Sequence, residues 1–377
     1  MKKYFALMAL AIFSFFVTSA KAESEPVFNL THEGLQKAIA ARQAQSGLVG
    51  IGALVMVDGK IIAQAVAGER KKGSGVAVTA QDQWHLGSIT KSMTATLIGI
   101  LVEEDVLAWD MTLPQMLPDM AMDEGWHKAR LQHLLTHSAG LPANFPMRTQ
   151  FNRPQDREAL HTARRDALAA ILAKPPKYDP GETFLYSNVG FTLAGFIAAE
   201  RMNQSWETLM EERLFAPLGL GSAGFGPPRG DALMDQPWGH SKFMFTKMAK
   251  TPLSDGADNT PIMAPAGTVH MTMADLATFG HEHLKGEKGD SNLLSATTFK
   301  HLHTPSQENY AAGLVVVQRD WAQGRLIWHN GSNTMWYALL LVLPEKNTVM
   351  VFVTNDGDRS TADAIFKDLA VRIVRAL

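Results

Sequence analysis

The sequence predicts an α+β fold: an antiparallel sheet assembled from the N- and C-terminal segments and flanked by helices, with a mainly helical lobe inserted between them. Three observations predict it. Leu48 to Ala67 is an apolar run that reverses at Asp58-Gly59, a pair suited to a tight primed turn, so it reads as a hairpin. Near the other end, Ala312 to Val317, Arg325 to Trp328, Trp336 to Leu343 and Thr348 to Thr354 read as four more strands. Between these ends the pattern changes to helices, loops and prolines.

Within that frame, Tyr337 to Leu343 is apolar on both faces, the pattern of a central strand covered on each side by helices. Thr94 to Glu104, Arg130 to Leu135, Arg164 to Ala173, Phe191 to Met202 and Trp206 to Leu214 read as helices. So does Met273 to Leu284, opened by Thr272 with Asp275 three residues on, the spacing of a reciprocal cap. The closing segment places Ile365, Leu369, Ile373 and Leu377 on one face and charges elsewhere, an amphipathic helix read as packing on the sheet. Gly221 to Thr260, rich in Gly, Pro, Met and Asp, reads as irregular loop at the mouth of a site. The domain spans residues 23–377, with an α/β lobe of about 23–90 plus 305–377 and a helical lobe of about 91–304.

Composition excludes several functions. The 377 residues are 46% hydrophobic and 19% charged, with formal net charge −2, which fits neither disorder nor a strongly basic nucleic-acid binder. The absence of cysteine rules out disulfides, thiolate-bound zinc, iron–sulfur clusters and a cysteine nucleophile. At the start, Lys2 and Lys3 precede the apolar run Phe5 to Val17, and Ala20-Lys21-Ala22 is a small-x-small cleavage pattern. Such a run spans about 20 Å as a helix, short of a bilayer core of roughly 30 Å, so residues 1–22 read as a signal peptide cut after Ala22. The protein is therefore expected in the periplasm or outside the cell, without stable membrane insertion. Loss of three lysines takes its formal charge from −2 to −5.

Three short segments carry chemistry. In Gly87-Ser88-Ile89-Thr90-Lys91, at the mouth of a predicted helix, residues three apart share a face, so the Lys91 amine can reach the Ser88 hydroxyl. A serine is a poor nucleophile until a base takes its proton, and a desolvated lysine can be that base. In Tyr186-Ser187-Asn188 a loop can bring a phenol to the nucleophile and an amide to the substrate; a phenol beside a cationic lysine would have its pKa lowered. In His329-Asn330-Gly331-Ser332, at a strand end, Gly331 lets a substrate lie against the strand and the Ser332 N–H can donate to an oxyanion. Each alone is an unremarkable loop.

Together, and in this order, they resemble the serine β-lactamase and penicillin-binding family, in its class C, D-aminopeptidase and esterase branch. Leu134-Leu135-Thr136-His137-Ser138-Ala139-Gly140-Leu141, Pro265-Ala266-Gly267 and Leu343-Pro344-Glu345-Lys346 extend the resemblance over roughly Leu35 to Leu377. It implies a β-lactamase/transpeptidase-like fold and a cofactor-free, metal-free serine hydrolase that works through an acyl-serine on a small-molecule or peptide substrate. Ser88 would be the nucleophile, Lys91 and Tyr186 jointly the proton-handling pair, and Asn188, His329, Gly331 and Ser332 the substrate-binding set, with the Ser88 and Ser332 N–H groups as oxyanion hole. One departure matters: the third segment usually reads Lys-Thr/Ser-Gly, and His329-Asn330 replaces the first two residues. A histidine is mostly neutral at pH 7, so recognition of a substrate carboxylate should weaken. Weight therefore falls on a peptidase or esterase, with a D-alanyl-D-alanine carboxypeptidase or β-lactamase as the alternative. A non-catalytic binding protein on the same fold would have lost Ser88, Lys91 or Tyr186, and none is lost.

Other signals are set aside. His133 and His137, His281-Glu282-His283 and His301-Leu302-His303 look ligand-like, but no His-Glu-x-x-His occurs and alternate helical residues diverge. No Gly-x-Ser-x-Gly elbow, phosphate loop or dinucleotide fingerprint is present. Met244, Met248 and Met263 read as gap fillers, with a Met- and Trp-lined acyl pocket around Trp238 as a weaker idea; Trp84 reads as core.

Overall fold

The computed structural model describes residues 28–154, 156–243 and 246–377. The proposed signal peptide and Met244 lie outside the described residues. A six-stranded antiparallel sheet is formed by β1 (Gly50–Val57), β2 (Lys60–Gly68), β3 (Val315–Arg319), β4 (Gly324–Ser332), β5 (Tyr337–Leu343) and β6 (Thr348–Thr354), in the order β2-β1-β6-β5-β4-β3. The β1–β2 hairpin turns at Asp58 and Gly59, with φ of 50° and 74°, as a primed turn requires. β1 then pairs with β6, from Ile51 opposite Thr354 to Val57 opposite Thr348, joining the two ends of the chain.

Alternation along β5 shows why every position is apolar. Leu339 and Leu341 pack with Ile51, Ala53 and Phe352 beneath the helices α1 (His32–Ser46) and α6 (Arg359–Ala376). Leu340 and Val342 face the other way, toward Leu276 and Phe279 of α5 (Met273–Gly286) and the large helical core. A Cβ on Gly280 would stand 2.8 Å from Val349, which marks how closely α5 lies on the sheet. In α6 the buried stripe is Phe366, Leu369, Ala370, Ile373 and Val374, while Leu377 at the chain end is exposed. The predicted stripe is therefore right at its centre and wrong at Leu377.

Two helices begin earlier than their apolar pattern. α2 (Thr90–Glu103) is buried at every position from Thr90 to Leu101, so tertiary packing carries the polar first turn that periodicity does not mark. α4 (Asn188–Met202) is capped by the Ser187 hydroxyl, which accepts from the Gly190 N–H. At α5 only half of the predicted reciprocal cap forms: Thr272 accepts from the Asp275 N–H, but the Asp275 carboxylate takes the N–H (2.8 Å) and O–H (2.6 Å) of Ser222 instead. Gly221 to Thr260 is not the irregular loop expected: Gly224–Phe225 pairs with the strand Val269–Thr272, and Gly239–Phe243 with Thr246–Lys250. Trp238 is buried, its ring under the Lys71 amine at 4.4 Å. Trp84 is core, edge-to-face with Trp336. Among the described residues no helix is long and apolar enough to cross a membrane.

One buried ion pair ties the helical region to the loop that supports the site. Arg164, on α3 (Arg157–Leu172), reaches Glu207 at 2.8 Å and donates to the carbonyls of Pro261 and Ile262 at 3.0 Å each, just before the short helix Ala264–Gly267. Both charges are almost wholly buried. Arg164→Ala leaves Glu207 without its cation and two carbonyls without donors, so it should destabilise the fold by about 3–5 kcal/mol in urea titration. A loss below about 1 kcal/mol would show that the pair is solvated in solution.

Candidate active site

Ser88 sits where a strand becomes a helix. The strand Gln83–His85 leads through a 3-10 turn, Gly87–Ile89, directly into α2, leaving Ser88 half-buried and Lys91 fully buried one turn later. His85 fixes the turn: its Nδ1 accepts from the Gly87 N–H (3.1 Å), and its Nε2 lies 2.9 Å from the Asp258 carboxylate.

Lys91 Nζ lies 2.7 Å from the Ala266 carbonyl, 2.7 Å from Asn188 Oδ1 and 3.0 Å from Ser88 Oγ. No carboxylate is paired with it among the described residues, and burial holds its pKa well below the usual lysine value. A neutral amine has two hydrogens and one lone pair. Nζ is placed as donor to the Ala266 carbonyl, Asn188 Oδ1 and Ser88 Oγ; in the neutral form, hydrogens kept on Ala266 and Asn188 would leave the lone pair facing Ser88 Oγ. That is the arrangement a general base needs before a serine attacks.

Tyr186, Ser187 and Asn188 are clamped against residues 137–143. Leu185 N donates to the His137 carbonyl (2.7 Å), Ser187 N to His137 Nδ1 (3.0 Å), Ser187 Oγ to Pro142 O (2.7 Å) and Asn188 N to Ala143 O (2.8 Å). His137 adopts φ +57°, unusual for a non-glycine, and its ring lies 4.2 Å from that of Tyr186. With Nδ1 accepting, the ring is neutral, and burial keeps its pKa far below the ordinary value. The expectation of a lowered Tyr186 pKa is corrected. Burial pushes the phenol up, outweighing the Ser88 hydrogen bond that lowers it. The expectation required a cationic neighbour, and Lys91, 4.9 Å from the ring centre, is a buried amine whose charged form is disfavoured.

The third wall is the end of β4. A Cβ on Gly331 would overlap the Leu86 carbonyl oxygen and stand 2.5 Å from Ser88 N, and one on Gly87 would strike Ser332 N. The two backbones touch, so only glycine fits at both places. Gly331→Ala should push β4 off the nucleophile turn, cutting kcat/KM by about 100-fold while stability falls by about 1–3 kcal/mol. Unchanged kinetics would show that the two segments separate freely. His329 is buried, its Nε2 3.0 Å from the Tyr310 hydroxyl and its Nδ1 on the Asn330 carbonyl. Burial pushes its pKa down to about 3, so it brings no cation to this wall. Asn330 turns toward α6, donating to Tyr337, which donates to Asp363.

Ser88, Lys91, Tyr186 and Asn188 thus converge, with Gly331 and Ser332 against the nucleophile turn and His329 behind it. The sequence reading missed three participants. Asn144 accepts from Asn188 Nδ2 (2.6 Å) and fixes its amide. Ala266 acts through a carbonyl, which no side-chain pattern reveals. Tyr310 lies 4.5 Å from His137 and 6.2 Å from Tyr186, ring to ring, and its position ahead of β3 was the one available signal.

An antiparallel sheet flanked by helices, with a serine, a buried lysine and a tyrosine gathered beside one of its strands, fits the class of β-lactamase-related serine hydrolases. The chain belongs to the Beta-lactamase family, whose profile matches residues 35–372. It is similar to penicillin-binding protein 4 of Amycolatopsis lactamdurans, 27% identical over 356 residues that cover 90% of this chain and 88% of that protein. Among solved structures it resembles the β-lactamase/D-alanine carboxypeptidase of Pseudomonas syringae, with a TM-score of 0.72 and 20% identity over 90% of this chain and 98% of that one. It also resembles the D-amino acid amidase of Ochrobactrum anthropi SV3, with a TM-score of 0.70 and 18% identity over 90% and 96%. At those identities the two structures establish the fold.

Proposed function

We propose that the protein is an exported serine hydrolase that cleaves a small ester or amide, of peptidase or esterase type, through an acyl-serine at Ser88. The observation that carries this reading is the fully buried Lys91 amine 3.0 Å from Ser88 Oγ, held in place by the Ala266 carbonyl and Asn188 Oδ1. Lys91 takes the hydroxyl proton as Ser88 Oγ bonds to the carbonyl carbon, and the Ser88 and Ser332 N–H groups receive the oxyanion. Tyr186, protonated at neutral pH because its pKa is raised, passes its proton to the leaving alcohol or amine and is reprotonated from Lys91. Water then releases the acyl group by the reverse proton path. Asn188 positions the substrate, Gly331 lets β4 close on the Ser88 turn, and His329 shapes the site through Tyr310 as a neutral group. A substrate without a carboxylate beside the scissile bond suits that wall, which favours esters and amides over a carboxypeptidase substrate.

Intact mass after exposure to a fluorophosphonate, and separately to a penicillin, tests the reading. A fluorophosphonate adduct lost in Ser88→Ala is expected, with turnover of short p-nitrophenyl esters or D-aminoacyl amides. A long-lived penicillin adduct with turnover only of D-Ala-D-Ala peptides would overturn the substrate preference. No adduct from either reagent on folded protein would overturn the hydrolase. The N-terminus of the purified extracytoplasmic protein should be Glu23, and an intact Met1 would refute export by cleavage.

A further inference from the structure

In the proposed reaction the oxyanion is received by two backbone N–H groups, those of Ser88 and Ser332, which no rotamer change can aim. Their sequence neighbours are what the structure holds. Gly87, one residue before Ser88, gives its N–H to His85 Nδ1 at 3.1 Å. Asn333, one residue after Ser332, gives its side-chain amide to Asp258 Oδ1 at 2.9 Å. With Nδ1 accepting, the neutral His85 ring carries its hydrogen on Nε2, and that nitrogen lies 2.9 Å from the same Asp258 oxygen. One carboxylate oxygen therefore stands between the two backbones that bear the oxyanion donors.

Three observations set Asp258 apart from a loop acid on the surface. First, its side chain is 8% exposed and that of His85 0%, so water is kept from competing for the contact. Second, its segment is pinned on both sides. Arg153 donates to the Asp258 carbonyl at 3.0 Å, and Asn259 gives its N–H to Asp258 Oδ1 (2.7 Å) and its amide to the Gly267 carbonyl (3.1 Å). Gly267 follows Ala266, whose carbonyl holds Lys91. Third, the two backbones it serves are in contact: a Cβ on Gly87 would stand 2.3 Å from Ser332 N. A shift of either backbone is felt by the other.

We propose that Asp258 is a positioning residue of the oxyanion hole, acting through His85 on the Ser88 N–H and through Asn333 on the Ser332 N–H. The inference rests on the hydrolase reading, since the hole matters only if an oxyanion forms. A carboxylate suits this post, because its charge strengthens each hydrogen bond it accepts. Its removal frees the His85 ring to turn and releases Asn333, so both donors lose their aim at the developing charge. The proton path is left alone: among the described residues Lys91, Tyr186 and Asn188 make no hydrogen bond to His85, Asp258 or Asn333.

The test follows p-nitrophenyl acetate hydrolysis by Asp258→Ala and Asp258→Asn, with kcat counted per site that a fluorophosphonate labels by intact mass. Acylation and deacylation both pass through an oxyanion, so kcat reports the hole whichever step limits it. Losing one donor outright costs about 10²- to 10³-fold. For two misaligned donors we expect Asp258→Ala to lower kcat at least tenfold, with KM within threefold of the parent and the pH profile of kcat/KM unmoved. The contacts all fall on Oδ1, so Asp258→Asn, with its amide oxygen there, should hold kcat within threefold of the parent. Any cost of burying its amide nitrogen then appears in the unfolding midpoint and not in turnover. A smaller loss in Asp258→Ala overturns the proposal. So does a larger loss in Asp258→Asn, which would mark a merely structural role, or a moved KM or pH profile, which would place Asp258 in binding or proton transfer. Should Asp258→Ala fail to fold, Asn333→Ala decides, a threefold fall in kcat upholding the proposal and anything less refuting it. A folded parent that the fluorophosphonate does not label refutes the hydrolase and this inference together. A labelled parent with a fully active Asp258→Ala refutes this inference alone.

Discussion

Ser88→Ala is expected to lower turnover on the order of 10⁴- to 10⁶-fold, the scale seen when a serine nucleophile is removed. The fold should survive, because Ser88 is half-buried and the hydrogen bonds of its hydroxyl, to Lys91 and to Tyr186, are worth about 1 kcal/mol each. Unfolding midpoints for the two proteins should agree closely. The outcome that matters lies between: a variant keeping a tenth or more of parent activity would move the attacking atom elsewhere and leave Ser88 as a helix-start residue. Ester hydrolysis by the purified variant, with a mass check for carried-over parent enzyme, decides it.

The second large effect concerns Lys91. Lys91→Met keeps the length of the side chain and removes the amine, so proton removal from Ser88 loses its base; general-base catalysis contributes about 10²- to 10⁴-fold, and kcat should fall by that amount. Because burial holds the Lys91 pKa well below 10.5, kcat/KM of the parent should fall as pH drops through that lowered value, where the amine gains a proton. Stability carries the same signature. Between the folded and unfolded pKa the unfolded chain holds a proton that the folded one lacks, so stability rises with pH over this window. Urea titrations should therefore show the parent gaining on Lys91→Met as pH is raised toward 10.5. A parallel pH dependence in both proteins would mean that Lys91 is charged in the fold.

What the sequence made legible follows the reach of each signal. Ser88 and Lys91 are three residues apart on one helix, so their meeting is local and readable. The Asp58-Gly59 turn and the two-faced β5 are equally local. Tyr186 and Asn188 were found by resemblance, since nothing in their own segment says that His137 will accept from Ser187 N. The Tyr186 pKa was misjudged because its sign depends on whether Lys91 is charged, and only burial decides that. Asp275 shows the same limit: the spacing for a reciprocal cap is present, but Ser222, distant in sequence, competes for the carboxylate and wins. The short strands Gly224–Phe225, Gly239–Phe243 and Thr246–Lys250 were missed because none alternates apolar and polar residues over a readable length, and the partner of the first, Val269–Thr272, lies far along the chain.

The pairing of β1 with β6 has a consequence for when the enzyme comes alive. Val57 is paired with a strand that begins at Thr348, and β4, which presses on the Ser88 turn, is joined to β1 only through β5 and β6. A growing chain therefore carries Ser88 for more than two hundred residues of synthesis before β4 can press on its turn. Contacts so far apart in sequence also fold slowly. Until β4, β5 and β6 have emerged and paired back to β1, Ser88, Lys91 and Tyr186 have no β4 wall to pack against.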